Sequence, residues 1–322
     1  FSGGDCFKRP DIVELVEYGA NLGMRMGITP ATTSLATKEL LIQLRDVGLT
    51  RVAISLDGSN AAIHDEFRQV KGSFDHGLRI LREAQEVGLS TQVNTVIRKA
   101  NIDDMHAMTE LMTTLGVVFW EVFFLVPMGR AKAEDVASAD EFESVFHQLY
   151  DLSKTAPFDI KATAAPQYSR VVMQRKRAEV REGADEDVSE VMTRGMHYSQ
   201  SDGIGRARNV NDGDGFVFIS HVGDVYPSGF LPVAAGNIRD DDIIEIYRNS
   251  PVFQALRDRT QLKGKCGVCG YRDACGGSRA RAYAMTGDYL AEEPFCAHVP
   301  KREPLIPSPK PRTVLPLHPL QP

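Results

Sequence analysis

The sequence predicts an α/β protein with parallel β/α units in its N-terminal part and a small cysteine-rich domain behind them. Three observations predict it. Short β-like runs alternate with amphipathic helical runs over residues 1–126, four successive helices close on an apolar residue followed by glycine, and four of the five cysteines gather between residues 266 and 296. Strand and helix in strict alternation imply parallel pairing, because each helix returns the chain to the end of the sheet it started from.

The first helix is expected from Pro10, a good first-turn residue, through DIVELVEYGANL with apolar side chains at helical spacing. Three more follow at roughly 37–47, 74–87 and 101–115, with Thr37 and Asn101 as N-caps. Each ends at a pair that supplies a left-handed glycine: Leu22-Gly23, Val47-Gly48, Val87-Gly88 and Leu115-Gly116. Between them the β-branched and apolar runs MRMGITP (24–30), RVAISLD (51–57), STQVNTVI (90–97) and VVFWEVFFLV (117–126) read as strands. Parallel units place function at the C-terminal ends of their strands. Those ends carry Gly3-Gly4-Asp5, Thr29-Pro30-Ala31-Thr32, Ser55-Leu56-Asp57-Gly58 and the Gln92/Asn94/Thr95 set.

Residues 127–214 read as a helical and loop connector. Within it, 139–154 forms one helix, 167–183 another with a basic face, and the glycine-rich stretch 199–215 a loop. A second domain is expected over 215–299: strand, turn at Val222-Gly223-Asp224 and strand in FVFISHVGDVYPSGFLP, then one helix, DDIIEIYRNSPVFQALRDR, leading into the cysteines. Residues 300–322 hold eight of the 17 prolines and are expected to be a disordered or polyproline-like tail.

Bulk properties exclude several classes. A chain of 322 residues with 43% hydrophobic and 25% charged residues suits one large or two ordinary globular domains. Its net charge of -6, with basic residues interspersed among acidic ones, leaves no footprint for nucleic acid. The longest apolar run, 117–126, is broken by Glu121 and falls short of the roughly 18 to 20 residues of a membrane span. FSGGDCFKRPD has no signal-peptide pattern, and the cysteines do not form a secreted disulfide framework, so a reducing cytoplasm is expected. The sequence opens at Phe1 in a strand-end glycine turn, which reads as a fragment of a longer chain.

The cysteines are spaced C-x2-C-x5-C-x20-C at Cys266, Cys269, Cys275 and Cys296. A structural zinc site usually pairs two C-x2-C knuckles, or one with histidines, and only one knuckle is present. Four thiolates equally suit a [4Fe–4S] cube, which tolerates uneven spacing because its sulfides fill much of the coordination sphere. Spacing alone leaves iron–sulfur, zinc and unligated thiols open. Cys6, alone beside the glycine turn, reads as just a small side chain. Asp57-Gly58 reads as a turn, and His64, Asp65 and Arg68 as loop-capping residues. His197 and His221 stand alone, and Arg170 to Arg181 reads as a solvated helix face or a site for substrate carboxylates.

Together these features resemble the radical S-adenosylmethionine enzymes that carry a SPASM/twitch C-terminal extension, over roughly residues 1–300. FSGGD is similar to the family's GGE/GGD motif, which implies that Gly3, Gly4 and Asp5 contact S-adenosylmethionine. ITPATTSL, ISLDGSNAAIHDEFR and TQVNTVI resemble successive strand ends of the family's partial (β/α)6 barrel, here lacking its first β/α unit. The resemblance adds Ser55, Asp57 and Asn94 to the cofactor pocket. It also implies a C-x3-C-x2-C loop upstream of Phe1, holding a second [4Fe–4S] cluster that cleaves S-adenosylmethionine.

The C-terminal likeness is more specific. Full SPASM domains place a G-x4-C hairpin before C-x2-C-x5-C-x3-C and a final cysteine, and bind two auxiliary clusters. Here Ser228 follows Gly223 where that cysteine would stand, and Arg279 occupies the x3-C position. The resemblance therefore implies one auxiliary [4Fe–4S] cluster, held by Cys266, Cys269, Cys275 and Cys296. SGFLPVAAGNIR and CGGSRARAYAMTGDYLAEEPFC resemble the branch that includes enzymes of alternative haem synthesis, while peptide-modifying members share the extension. Expected partners are a porphyrin-like or peptide substrate and a ferredoxin- or flavodoxin-type reductant. The rival readings are a zinc-stabilised binding protein and an S-adenosylmethionine-binding fragment without catalysis.

Overall fold

The computed structural model describes residues 1–181, 195–198, 205–208 and 211–301. One compact unit spans Phe1–Ala165, and a second begins at Pro166. In the first, helices and strands alternate: α1 (Ile12–Asn21), β1 (Met26–Ile28), α2 (Lys38–Asp46), β2 (Leu49–Ser55), α3 (Ala61–Arg68), α4 (Ser73–Glu86), β3 (Ser90–Ile97), α5 (Met105–Leu115), β4 (Phe119–Phe124), α6 (Ala139–Leu152) and β5 (Asp159–Thr163). The five strands pair parallel in chain order. Beside β1, the Phe1 nitrogen donates to Gly27 O at 2.7 Å and Phe1 O accepts from Thr29 N at 2.8 Å.

The helix-ending glycines behave as expected, with φ of 77° at Gly23, 104° at Gly48, 86° at Gly88 and 61° at Gly116. Thr37 caps α2 by accepting from Leu40 N. Asn101 does not cap α5: its side chain accepts from Arg98 N and donates to Asp57 O and Val96 O, tying the β3 end to the β2 loop. The segment IHDEFR, read as a loop cap, is helical in α3, whose first turn Asn60 caps through Ile63 N.

The sheet also continues past residue 126, where the sequence suggested a connector. Asp159–Thr163 adds a fifth strand, and α6 returns the chain to it under a Ser138–Glu141 capping box. The β5 sequence DIKAT alternates polar and apolar and lacks the apolar run that marked β2 to β4.

Side-chain alternation splits the sheet into two unlike faces. Val52, Ile54, Val93, Trp120, Val122 and Phe124 are buried on one, worth about 1.5–3 kcal/mol for each large side chain. Trp120 Nε1 donates to Thr95 Oγ1 at 2.8 Å, and that hydroxyl donates to Leu56 O at 2.7 Å, so the polar atoms of this core are satisfied. The other face mixes Ala53, Phe119 and Phe123 with a polar set of Ser55, Gln92, Asn94, Glu121 and Lys161.

The second unit starts with α7 (Gln167–Arg181). Within 199–215, read as a loop, Gly205–Arg208 (β7) pairs antiparallel with Gly195–Tyr198 (β6); residues 199–204 lie outside the described residues, as does 302–322 of the proline-rich tail. A three-stranded sheet joins β8 (Phe218–Ile219), β9 (Asp224–Tyr226) and β10 (Gly236–Asn237), with Gly223 at φ 95° in the predicted turn. The expected single helix is two, α8 (Ile243–Asn249) and α9 (Pro251–Arg257). Pro251 lacks the N–H that a continuing helix needs but suits the first position of a new one. Val225, Ile246 and Phe253 form the small core beneath them. Two short helices, α10 (Gly264–Val268) and α11 (Arg279–Thr286), frame the cysteine stretch.

Candidate functional site

In the second unit the four clustered cysteines line one pocket, together with Arg170, Tyr271 and Glu293. Cys266 lies in α10, Cys269 caps its end, Cys275 follows the next turn, and Cys296 returns from beyond α11. The turn depends on Gly276 and Gly277, at φ 69° and 68°. A Cβ on Gly277 would stand 2.5 Å from Arg279 Nη2, 2.8 Å from Glu293 Cβ and 3.1 Å from Cys266 Sγ. Asn211 Nδ2 holds the same turn by donating to Cys275 O at 3.1 Å and Gly277 O at 2.8 Å.

Hydrogen bonds to sulfur surround the cavity. Glu293 N donates to Cys266 Sγ at 3.3 Å, Tyr271 N to Cys269 Sγ at 3.4 Å, and Gly277 N to Cys275 Sγ at 3.3 Å. Arg279 Nη2 reaches Cys266 Sγ at 3.7 Å. Donors arranged this way favour thiolate over thiol. Burial acts against them. Reinforced by Cys296, it pushes the Cys275 thiol up; it also pushes Cys296 up, where the Arg170 charge opposes it. A cationic core placed among the four sulfurs would reverse that balance.

Four cysteines around one pocket are the donor type that an iron–sulfur core takes. Buried polar groups brace the wall: Arg281 Nε donates to Glu293 Oε1 at 2.9 Å with both side chains 0% exposed, and Asp212 Oδ2 accepts from Ala280 N at 2.9 Å.

In the first unit, strand register brings four polar residues together on one sheet face. Ser55, Asn94, Glu121 and Lys161 are successive Cα partners across β2 to β5, so they form one row. Gln92 Nε2 donates to Asn94 Oδ1 at 2.7 Å and Glu121 Oε2 at 3.0 Å. Glu121 Oε1 accepts from Lys161 Nζ at 2.9 Å and Thr163 Oγ1 at 2.6 Å. Sequence reading treated Glu121 only as a break in an apolar run and passed over Lys161 and Thr163. Its signal was the position: Glu121 has the same alternation phase as Phe119 and Phe123, the face opposite Trp120 and Val122.

Gly3 and Gly4 have φ of 89° and 56°, and their Cα positions face open space. Asp5 accepts from Phe7 N at 3.2 Å and Thr33 Oγ1 at 2.8 Å. Asp57 is fully buried, its two oxygens held by Val96 N at 2.8 Å and Arg68 Nε at 2.6 Å. Its own N–H donates to His64 Nδ1 at 3.0 Å, which leaves Nε2–H to donate to Ser73 Oγ at 3.1 Å. These bonds lock the β2 and β3 ends together, so Arg68 and His64, set aside as loop residues, position Asp57.

A parallel sheet with a polar row on one face, joined to a cysteine-lined unit, defines the class. Residues 1–112 match the family described as Radical SAM superfamily, and residues 212–270 the SPASM family, an iron-sulfur cluster-binding domain. The chain belongs to the radical SAM enzymes with a SPASM domain. Curated relatives named AdoMet-dependent heme synthase include one from Methanosarcina barkeri, 40% identical over 309 residues and covering 94% of this chain and 82% of that protein. Another, from Oleidesulfovibrio alaskensis, is 38% identical, covering 94% and 75%. The fold is similar to Streptococcus suis SuiB bound to S-adenosylmethionine, with a TM-score of 0.66 at 14% identity over 92% of this chain and 65% of that one. No described helix is long and apolar enough to cross a membrane.

Proposed function

We propose that this radical SAM enzyme modifies a carboxylate-bearing side chain of an iron porphyrin, with one auxiliary [4Fe–4S] cluster at Cys266, Cys269, Cys275 and Cys296. The observation that carries the substrate class is the 40% identity, over 94% of the chain, to a protein named AdoMet-dependent heme synthase. When bound, S-adenosylmethionine supplies a 5′-deoxyadenosyl radical that takes a hydrogen atom from substrate, and the auxiliary cluster supplies a one-electron relay.

The chain's own residues bind and orient. Gly3 and Gly4 offer backbone with open space above them, and Asp5 anchors that turn through Phe7 N and Thr33 Oγ1. Ser55 and Asn94 stand side by side on β2 and β3 to meet the cofactor, and buried Asp57 keeps the two strand ends in register behind them. The Glu121–Lys161 pair continues this row across β4 and β5. In the second unit Cys266, Cys269, Cys275 and Cys296 would hold the auxiliary cluster, which would supply electron transfer. No disulfide joins any of the five cysteines, in keeping with a reducing cytoplasm, and the electrons would come from a ferredoxin- or flavodoxin-type protein.

Anaerobic purification and analysis test the reading. Equimolar iron and sulfide bound to the chain, lost on changing Cys269 and Cys275 to Ala, are expected, together with a shifted Soret band on titration with iron-coproporphyrin. One zinc without sulfide would refute the cluster. An unmoved Soret band, with binding of a peptide instead, would refute the porphyrin.

A further inference from the structure

Arg279 is fully buried and, among the described residues, hydrogen-bonds no carboxylate; Asp288, held low chiefly by its bond to Lys263, also feels the Arg279 charge. Among the described residues its hydrogen-bond partners are three carbonyl oxygens and one sulfur: Nε donates to Gly277 O at 3.1 Å, Nη1 to Tyr289 O at 3.1 Å and Ala291 O at 2.6 Å, and Nη2 to Cys266 Sγ at 3.7 Å. Two residues on, Arg281 is equally buried but carries Glu293 at 2.9 Å. Desolvating a guanidinium costs several kcal/mol, on the order that only a nearby opposite charge offsets. Carbonyl dipoles orient Arg279 without neutralising it. Besides Asp288, which its charge reaches without a hydrogen bond, Arg279 meets the sulfur of Cys266 directly through Nη2.

Four thiolates around a cubane core of two positive charges make a dianion, and its one-electron reduction makes a trianion. A fixed cation against one ligand sulfur stabilises the more negative state more, because the attraction scales with the charge it faces and low dielectric leaves it unscreened. Hydrogen bonds and net charge around the sulfurs set cluster potentials over a wide range. We infer that Arg279, at the position where a related SPASM domain has a cysteine, is the counter-charge of the four-cysteine centre and raises its reduction potential. This rests on the cluster assignment made above. A raised potential biases the centre toward accepting an electron.

The test is a potentiometric titration of the anaerobically loaded full chain, followed by the spin-resonance signal of the reduced cluster, for wild type, Arg279→Gln, Arg279→Met and Arg279→Lys. Either neutral variant, loaded to wild-type iron and sulfide, should titrate at a lower midpoint, with Arg279→Lys between it and wild type. A neutral variant with full iron and sulfide and an unmoved midpoint overturns the inference. Should neither neutral variant load, loading of Arg279→Lys alone supports the counter-charge, and failure of all three assigns Arg279 to folding and overturns it. Wild type without iron and sulfide overturns the cluster assignment itself, and the inference with it.

Discussion

Replacing Arg281 with methionine should destabilise the second unit by about 3 kcal/mol. Breaking a buried ion pair costs about 3–5 kcal/mol, because it strands one charge away from water. Glu293 would be the stranded group: 0% exposed, its carboxylate keeps only the backbone donors Ser278 N at 2.9 Å and Phe295 N at 3.1 Å. Those two bonds offset part of the loss, which places the value at the lower end of the range. For a unit of this size that corresponds to a fall in Tm of roughly 6–12 °C. The measurement is urea and thermal unfolding of the metal-free chain under reductant, so that cluster binding adds nothing to the folded state. Arg281→Met with Glu293→Leu, which removes both charges, should be more stable than Arg281→Met alone. The exposed pair Lys38–Glu86, 44% and 58% exposed, serves as control: Lys38→Met should leave Tm unmoved. An Arg281→Met protein within about 1 kcal/mol of wild type would refute the reasoning.

Two further outcomes follow from the same geometry. Gly277→Ala should abolish iron and sulfide uptake while leaving the first unit folded, because the new Cβ meets Arg279, Glu293 and the Cys266 sulfur at a φ of 68°; unchanged iron content by chemical analysis would contradict it. Stability of the first unit should fall as pH drops below 6.5. Burial holds the His64 pKa below that ordinary value, with Asp57 only partly opposing. The unfolded chain therefore binds the proton first, so this contribution is complete above 6.5 and is lost on acidification toward the folded-state pKa. The physical cause is visible in the bonds: Asp57 N needs a lone pair on Nδ1, which protonation removes. His64→Asn, whose side-chain oxygen can accept the same bond, should flatten the pH dependence of Tm between 7.5 and 5; an identical slope in both proteins would remove His64 from the account.

What could be read in advance was local. Capping chemistry, glycine after each helix and two-residue alternation act within a few residues of chain, so α1, α2, α4 and β2 to β4 were visible without tertiary information. So was the cysteine set, because ligand residues cluster in sequence when one short domain supplies them. The fifth strand and α3 were not. DIKAT has little apolar content of its own and becomes a strand by pairing with β4, and IHDEFR becomes helical where Asp65 accepts from Gly72 N and Phe74 N.

By itself the sequence determined the fold class and the gathering of four cysteines in one stretch, while Ser228 and Arg279 at two further ligand positions are what the family resemblance implies. Only the tertiary structure decided what these residues do to one another. It turned Glu121 from an interruption into the centre of a polar row, since strand register sets which side chains share a face. It closed Asp57 inside a network from α3 and β3. It also placed the Arg279 guanidinium against the Cys266 sulfur. Burial and counter-charge depend on which distant segments enclose a group, and no spacing along the chain encodes that.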